Sequence, residues 1–357
     1  MRISYRMAAC AAAVAVTLAA CGEAPEEEGG GTETEASGEQ IRACAVLDVG
    51  GVDDRSFNQS AWSGMEQANE ANPNIEVSYV QSQGDADYLP NLRAQAESCD
   101  AVIGVGALLA APLSEVAPEF PDVSFMIIDA PSSGENVYGA TFFTEQSGFL
   151  GGYLAASLTE TGTVGTYGGI NVGRGVTGYM EGFRLGVEYY AEQKGEDVTA
   201  LGWDGSDGLF AGSFDNPPDG RAATDALTQQ GADIVFPVAG GTGTGSFTAA
   251  EESGGDVNVI WVDFPGCEFY PEYCQYIPTS VTKAIPEQVQ QFLTSVSEGE
   301  PMTGDYEGTL ENEGTGITGF NEFEDQVSDE TKAELEEVEQ QIIDGTIDVQ
   351  PVRDEPE

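Results

Sequence analysis

Apolar segments of strand length alternate with segments of helical periodicity along most of this chain. The predicted strands, bounded mostly by Gly, Asp or Pro, fall at 43–47, 75–80, 101–105, 124–128, 137–142, 163–167, 198–203, 233–237 and 257–262. Predicted helices lie between most of them, at 56–69, 88–97, 108–117, 146–158, 176–193, 220–230 and 245–252. This alternation specifies an α/β protein with parallel sheets that helices cover on both faces.

The number of predicted strands indicates two lobes. One parallel sheet of all these strands would be unusually large, whereas two sheets of about five or six strands are of common size. After residue 262 the pattern changes to a strand at 277–281, a helix at 285–297, extended segments at 306–310 and 316–319, and a final helix at 329–344. We predict a first lobe from 41–144 and 265–300, and a second lobe from 145–264 and 301–345.

The first twenty residues have the pattern of an export signal. Arg2 and Arg6 precede an apolar Ala/Val run that ends in Leu18-Ala19-Ala20-Cys21. That ending resembles the bacterial lipobox, which implies cleavage before Cys21 and lipid attachment to its thiol. An uncleaved anchor is the alternative, but the run is short for a membrane span.

Acidic segments flank the predicted lobes. Residues 21–40 form a Gly/Glu/Thr stretch that cannot contribute to a core, so we predict a flexible linker, and 346–357 is an acidic tail. Between them no segment is apolar for the roughly 18 residues that a membrane helix needs. We therefore expect a monomer that the lipid alone holds at the extracytoplasmic face of the cell membrane.

The chain is strongly acidic, with 62 Asp and Glu residues, 12 Lys and Arg residues, no histidine and a formal net charge of -50. Repulsion on this scale disfavours nucleic acid and anionic lipid as partners. Adaptation of the surface to high salt, where ions screen the repulsion, is the favoured explanation. A functional cation-binding patch is the alternative, but the acids are spread along the sequence.

Four cysteines remain once Cys10 leaves with the signal and Cys21 carries the lipid. They are Cys44, Cys99, Cys267 and Cys274, and they allow three pairings. Cys267 and Cys274 bracket a short turn, so we predict that they pair, and that Cys44 pairs with Cys99. A metal site is the rival interpretation, which the lack of histidine and of a Cys-x-x-Cys spacing weakens.

The segment from Asp48 to Asn58 joins the first predicted strand to the first helix through a glycine turn. In an open parallel sheet such a junction faces the ligand crevice. The spacing of Phe57, Ala61 and Met65 also suits a helix face packed on the core, so Phe57 could be an ordinary core residue. Asp53 and Ser56 could simply cap the helix.

Four segments resemble, in the right order, the motifs of one family. They are Asp48-Val-Gly-Gly-Val-Asp-Asp-Arg-Ser-Phe-Asn58, Phe125-Met-Ile-Ile-Asp129, Ala239-Gly-Gly-Thr-Gly243 and Ser280-Val-Thr-Lys283. The family is that of the basic membrane proteins, also called Med or PnrA-like: lipoproteins that bind nucleosides for ABC importers. The resemblance covers about 41–344. It implies a type I periplasmic-binding-protein fold with two Rossmann-like lobes and parallel sheets, joined by a three-strand hinge, and it implies ABC permease and ATPase partners.

The resemblance also assigns roles to single residues. Phe57 resembles one aromatic wall around a purine, with Asn58 beside it, and Phe214 is our choice for the second wall, although Phe210 lies close by. Asp129 resembles the acid that reads the base edge. Gly240, Asp263 and Lys283 resemble the groups that hold the ribose. Asp48 is a further candidate, which could touch the ligand or only shape the turn.

Elementary chemistry agrees with these roles. Stacking of a base on an aromatic ring contributes roughly 1 to 3 kcal/mol, and carboxylates accept hydrogen bonds from N–H groups and ribose hydroxyls. Ordinary alternatives remain: Asp129 and Asp263 could be turn-forming acids, Phe214 a loop or core aromatic, and Lys283 a partner of a surface acid. The loop 240–245 has the wrong spacing for a phosphate cradle.

Catalysis has little support in the sequence. No histidine is present for acid/base work, no free reactive thiol is expected, and no Gly-x-Ser-x-Gly elbow occurs. We therefore expect a binding protein without metal or cofactor. Two alternatives stay open, namely a lipoprotein that senses its ligand without transport, and a nucleoside hydrolase built on Asp48, Asp53 and Asp54.

Overall fold

The computed structural model describes residues 40–349. Its strands are β1 Ile41–Leu47, β2 Ile75–Gln81, β3 Ala101–Val105, β4 Ser124–Ile128, β5 Val137–Phe142, β6 Thr163–Gly168, β7 Thr199–Leu201, β8 Ile234–Val238, β9 Asn258–Val259, β10 Trp261–Asp263, β11 Ser280–Lys283, β12 Gly304–Gly308 and β13 Thr315–Ile317. The predicted signal 1–20, the lipidation site Cys21, nearly all of the linker 21–40 and most of the tail 346–357 lie outside the described residues.

The helices complete the alternation that the sequence predicts. They are α1 Phe57–Ala71, α2 Asp85–Ala96, α3 Ala110–Val116, α4 Thr144–Leu158, α5 Arg174–Lys194, α6 Pro217–Thr228, α7 Gly245–Ser253, α8 Gly266–Phe269, α9 Ile285–Ser297 and α10 Asp329–Ile343. Short 3₁₀ turns occur at Ala107–Leu109, Ala117–Glu119, Gly240–Thr244, Pro271–Tyr276 and Asn321–Phe323. Between residues 40 and 349, no helix is both long enough and apolar enough to cross a bilayer.

The strands form three sheets. A six-stranded parallel sheet has the order β12-β5-β4-β3-β1-β2, and a four-stranded parallel sheet has the order β7-β6-β8-β9. The third sheet, β10-β11-β13, combines one parallel and one antiparallel pair. The single strand predicted at 257–262 divides at Ile260, because β9 pairs with β8 whereas β10 pairs with β11. The α/β class is thus confirmed, and the sequence missed the small third sheet.

Side-chain alternation explains how the six-stranded sheet is covered. In β1, Ala43, Ala45 and Leu47 pack with residues of α1 and α9, while Cys44 and Val46 face the core beneath α2 and α3. Successive residues of a strand point to opposite faces, so an apolar strand of this kind buries both of its faces.

The strand pairing corrects two of the predicted lobe boundaries. Residues 301–308 belong to the first lobe, because β12 pairs in parallel with β5 along its whole length. Residues 265–283 belong with the second lobe, where Tyr270 packs against Phe247 at 5.0 Å between ring centroids. The chain therefore returns to the first lobe with α9 and leaves it after β12, rather than at 265 and 301.

Helices α4 and α5 lie unusually close together in the second lobe. A Cβ atom at Gly152 would collide with the carbonyl oxygen of Phe183, and one at Gly186 would collide with that of Phe149. These two glycines therefore permit a contact that no other residue would allow. Helix α5 begins at the cavity described below, which its residues Gly175 and Val176 line.

Two disulfide bonds are present among the described residues. One joins Cys44 in β1 to Cys99 just before β3, and the other joins Cys267 in α8 to Cys274 in the following 3₁₀ turn. Each bond closes a loop within one lobe. In the usual chain-entropy account such bonds restrict the unfolded chain and so stabilise the folded one.

Candidate ligand-binding site

A cavity lies where strand ends of the two lobes meet. Small-molecule sites occur preferentially at such boundaries between lobes. Every ligand residue predicted from the sequence lines it: Asp48, Phe57, Asn58, Asp129, Phe214, Gly240, Asp263 and Lys283. Most of them end a strand or follow one, as expected for ligand sites at the carboxyl ends of parallel strands.

Asp54 holds the beginning of α1 at the cavity. Its two carboxylate oxygens accept hydrogen bonds from the backbone N–H groups of Ser56, Asn58 and Gln59, at 3.0, 2.8 and 3.0 Å. This carboxylate therefore satisfies donors that a helix start leaves unpaired. Ser56 occupies the N-cap position of α1, but its side chain makes no capping bond, and Asp53 is exposed. The side-chain capping expected from these two residues is therefore made by Asp54 instead.

The side-chain amide of Asn58 lies between two carboxylates. Its Nδ2 donates to Asp48 Oδ1 at 2.7 Å and to Asp54 Oδ2 at 3.0 Å. Asp48 Oδ1 also accepts the backbone N–H of Gly50 at 2.9 Å, which closes the glycine turn. Asp48 thus shapes the turn with one oxygen and lines the cavity as well.

Burial shifts the pKa of both carboxyls. It raises the pKa of Asp54 to about 6, against the hydrogen bonds from Asn58, Gln59 and Ser56, which favour the ionised form. It also raises the pKa of Asp48, and the hydrogen bonds from Asn58 and Gly50 counteract the shift. These acids therefore titrate nearer neutrality than surface carboxylates do.

A buried lysine joins the two other acids of the cavity. Lys283 Nζ lies 2.7 Å from Asp129 Oδ2 and 3.7 Å from Asp263 Oδ1, and only 1 % of its side chain is exposed. Burial disfavours the ammonium ion, but the charges of Asp129 and Asp263 outweigh burial and raise the pKa of Lys283. The ammonium also lies 5.2 Å from the centroids of the Phe57 and Tyr179 rings.

Both acids of this cluster have strained backbone conformations. Asp129 follows β4 with a φ of 64°, and Asp263 ends β10 with a φ of 66°. The left-handed region is uncommon for residues other than glycine, although Asp enters it more readily than most. Such conformations concentrate at functional sites, where surrounding contacts hold them. The two acids are therefore turn-forming residues and cavity residues at once.

The aromatic residues of the cavity come from different lobes. Phe57 begins α1 in the first lobe, while Phe214 lies between β7 and α6 in the second, against Gly169. Phe57 also packs on the hydrophobic core of the first lobe. The alternative that Phe57 is an ordinary core residue therefore holds for part of its surroundings. Phe210 packs behind the cavity against Trp203, with 6.4 Å between ring centroids, and does not line it.

Comparison with known proteins agrees with this geometry. A profile of the family described as "ABC transporter substrate-binding protein PnrA-like" matches residues 41–352. This chain belongs to that PnrA-like family. The family consists of substrate-binding proteins of ABC transporters, so the type of protein expected from the sequence motifs is confirmed.

Relatives and solved structures are similar over most of the PnrA-like chain. A CD4+ T-cell-stimulating antigen of Listeria innocua is 29% identical over 94% of each chain. The ABC transporter nucleoside-binding protein BmpA of Lactococcus lactis is 31% identical over 62% of each chain. The crystal structure of an ABC transporter solute-binding protein from Aeropyrum pernix K1 superposes with a TM-score of 0.79, at 26% identity, covering 88% of this chain and 94% of that one. The type I periplasmic-binding-protein fold is thereby confirmed.

Other residues of the PnrA-like cavity escaped the sequence analysis. They are Gly106, Ala107, Leu108, Val172, Gly175, Val176, Val238 and Ala239; Asp54, which the sequence suggested only as an acid of a hydrolase, lines the cavity as well. Most of them follow the carboxyl ends of β3 and β6 or end β8, so the rule that placed Asp48 at the crevice could have found them. Most are small or apolar, and the sequence gives such residues no distinguishing chemistry.

The acid cluster considered for a hydrolase is not assembled. Asp48 and Asp54 share the amide of Asn58, whereas Asp53 is exposed and does not line the cavity. Within residues 40–349, no group of three or more Asp, Glu or Cys side chains is placed to hold a metal ion.

Proposed function

We propose that this protein is a lipid-anchored extracytoplasmic receptor that captures purine nucleosides between its lobes and delivers them to an ABC permease and its ATPase. The observation that carries the proposal is the meeting of Phe57 and Phe214, from different lobes, in one cavity with the buried Lys283 cluster. The name of the Lactococcus relative, a nucleoside-binding protein, supports the same ligand class.

The aromatic pair suits a flat base. A purine placed between Phe57 and Phe214 would gain roughly 1 to 3 kcal/mol from each stacked ring. Because the rings belong to different lobes, closure of the lobes would complete the sandwich and exclude water. Hydrogen bonds to the ligand are electrostatically stronger in such an environment of low dielectric constant.

The Lys283 cluster suits a sugar. The carboxylates of Asp129 and Asp263 can accept hydrogen bonds from ribose hydroxyls, and the Lys283 ammonium can donate one. Gly240, with a φ of 53°, would let its backbone approach the ligand closely. Since Asp129 shares its cation with Asp263, we assign Asp129 to the sugar rather than to the base edge. Asp48 and Asn58 then remain as the polar groups for the base.

The anchoring rests on the sequence before the described residues. Cys21 would carry the lipid, and the acidic segment 21–40 would let the two lobes move away from the membrane. A sensing role without transport shares every one of these features. Uptake of labelled nucleoside by cells with and without the gene separates the two roles.

Calorimetric titration of the mature chain at high salt tests the ligand class. We expect saturable binding of purine nucleosides and no comparable binding of free sugars. Binding of a sugar without binding of any nucleoside would contradict the proposal. Phe57→Ala and Phe214→Ala should each weaken binding at least about tenfold, since each removes one stacking face.

Phe210→Ala is the matched control, because Phe210 packs behind the cavity and should leave affinity unchanged. Release of hypoxanthine from inosine during incubation with calcium would favour a hydrolase instead.

A further inference from the structure

Arg55 differs from the other basic residues of this acidic chain. Every other Arg and Lys residue between 40 and 349 pairs with a carboxylate. The Arg55 guanidinium instead donates to the backbone carbonyl oxygen of Phe269 at 3.4 Å, and it lies 5.3 Å from the centroid of the Tyr270 ring. Arg55 belongs to the first lobe and both partners belong to the second, so this contact joins the lobes.

The backbone of Arg55 has an uncommon conformation. Its φ of 48° lies in the left-handed region, which residues other than glycine seldom adopt. Such strain persists only where surrounding contacts maintain it. Asp54 supplies these contacts on the first-lobe side, because its carboxylate binds the backbone N–H groups that follow Arg55. The turn therefore presents the Arg55 side chain to the second lobe from a fixed position.

The second-lobe loop 264–276 receives Arg55 on a rigid surface. A disulfide bond closes part of this loop. Tyr270 is only 5% exposed and packs against Trp261, with 5.1 Å between ring centroids. An aromatic face attracts a guanidinium placed over it. Because this face is already ordered by its own lobe, little conformational freedom is lost when Arg55 reaches it.

Both sides of this contact continue directly from residues of the cavity. Arg55 follows Asp54, and the loop 264–276 begins after Asp263; Asp54 and Asp263 line the cavity. Ser56 Oγ lies 3.4 Å from Asp263 Oδ2, so the same two segments also touch beside Arg55. The Arg55 contact therefore adjoins the place where the walls of the cavity meet.

The connections between the lobes lie together, away from Arg55. The Phe143 N–H donates to the Gly308 carbonyl oxygen at 2.7 Å, and the Ala284 N–H donates to that of Gly314 at 2.9 Å. A Cβ atom on Gly308 would lie 3.0 Å from the same Gly314 oxygen. In the six-stranded sheet, β1, which leads to Arg55, is three strands from β5, or about 14 Å at the usual strand spacing. Opening about this hinge must therefore separate Arg55 from its partners.

We propose that Arg55 and the loop 264–276 form a clasp that holds the lobes closed and slows release of the ligand. The proposal rests on the proposed function, because it requires capture of the ligand between the lobes. Among the described residues that line the cavity there is neither Arg55 nor any residue of this loop. Arg55 is thus a positioning residue that favours the closed state over the open one. The clasp changes how fast a ligand leaves and not which nucleoside is preferred.

Release of labelled adenosine or guanosine from the mature chain, in the presence of excess unlabelled nucleoside, tests the proposal. Arg55→Ala removes the ring contact and the hydrogen bond, so release should become about three- to tenfold faster. The ratio of the affinities for adenosine and guanosine should stay as in wild type. A changed ratio would show that Arg55 acts on the base instead, and an unchanged release rate would equally overturn the proposal.

Arg42→Ala is the matched control. It removes the same charge at the opposite end of β1, where Arg42 pairs with Asp100 on the surface. Release from this variant should match that from wild type. An equal acceleration in both arginine variants would assign the effect to net charge and overturn the clasp.

Replacing Cys267 and Cys274 together by Ser should also speed release, because the loop would lose its covalent brace. Replacing Cys44 and Cys99 by Ser is the control, since that bond lies within the first lobe. Adding Arg55→Ala to the first pair should speed release less than the separate effects predict, because both changes act on one contact. Fully independent effects would overturn the assignment of this loop to the clasp.

A measurement without ligand separates this proposal from the proposed function. If neither nucleoside binds, the proposed function fails, and small-angle X-ray scattering of the ligand-free chain still tests the clasp. Arg55→Ala should then have a larger radius of gyration than Arg42→Ala, because the open state becomes more populated. Equal radii would overturn the proposal.

Discussion

Replacing Lys283 by methionine removes the cation of the buried cluster while keeping a side chain of similar length among the aromatic rings. Asp129 and Asp263, whose side chains are only 11% and 9% exposed, would then face each other without compensation. At an effective dielectric constant of about 20, the lost attractions amount to roughly 6 kcal/mol at 2.7 Å and roughly 4 to 5 kcal/mol at 3.7 Å.

The net loss of stability is smaller than these attractions, because folding of the wild-type protein must also remove the ammonium ion from water, which costs free energy. Breaking a buried ion pair by removing one partner destabilises a protein by about 3 to 5 kcal/mol. We therefore expect Lys283→Met to lower the free energy of unfolding by about that amount. Urea unfolding at fixed salt measures it as a lower midpoint with an unchanged slope.

Another of the three lysines in the chain serves as the control. Lys332 pairs with Glu324 at 2.7 Å on the surface, where the two side chains are 26% and 61% exposed. Lys332→Met should change the free energy of unfolding by no more than about 1 kcal/mol. Adding Asp263→Asn to Lys283→Met should recover part of the loss. Equal midpoints for the two lysine variants would refute the reasoning.

Two further predictions concern pH and salt. The pKa of Asp54 is raised to about 6, so the folded chain binds more protons than the unfolded one, and this contribution to stability is lost as pH rises from about 4 to about 6. Urea unfolding of wild type and of Asp54→Asn measures this effect. The difference between their free energies of unfolding should change by about 3 kcal/mol between pH 4 and pH 6 and stay constant above pH 6. A difference that does not change with pH would contradict the raised pKa of Asp54. The net charge of -50 predicts a thermal midpoint that rises with KCl, because the Debye length falls from about 8 Å at 0.15 M to about 3 Å at 1 M. A midpoint independent of salt would argue against self-repulsion as a significant cost.

The sequence alone determined where most helices and strands lie. The predicted strands 101–105, 124–128 and 137–142 coincide with β3, β4 and β5, because the apolar residues that define a strand must be contiguous or alternate within a few positions. The sequence also indicated where the ligand crevice lies, because each of the four family motifs lies at the end of a strand.

Long-range pairing decided what the sequence missed. The sequence predicted an extended segment at 306–310, but it did not predict that Gly304–Gly308 would pair with the edge of β5 in the first lobe. The lobe boundaries therefore depended on a partner more than a hundred residues away.

The chemistry of the site was also determined partly by the sequence and partly by the tertiary structure. Single candidates such as Phe57, Asp129 and Lys283 could be identified from their motifs, but their contacts could not. Lys283 meets Asp129, 154 positions earlier in the chain, only when β11 and β4 end at the same cavity. Asp53 and Asp54 are chemically identical in the sequence, and only the direction of the chain at the helix start makes one a buried cap and leaves the other in solvent. The sequence determined which functional groups were available, and tertiary structure decided which were desolvated and paired, because burial and proximity depend on segments that are distant along the chain.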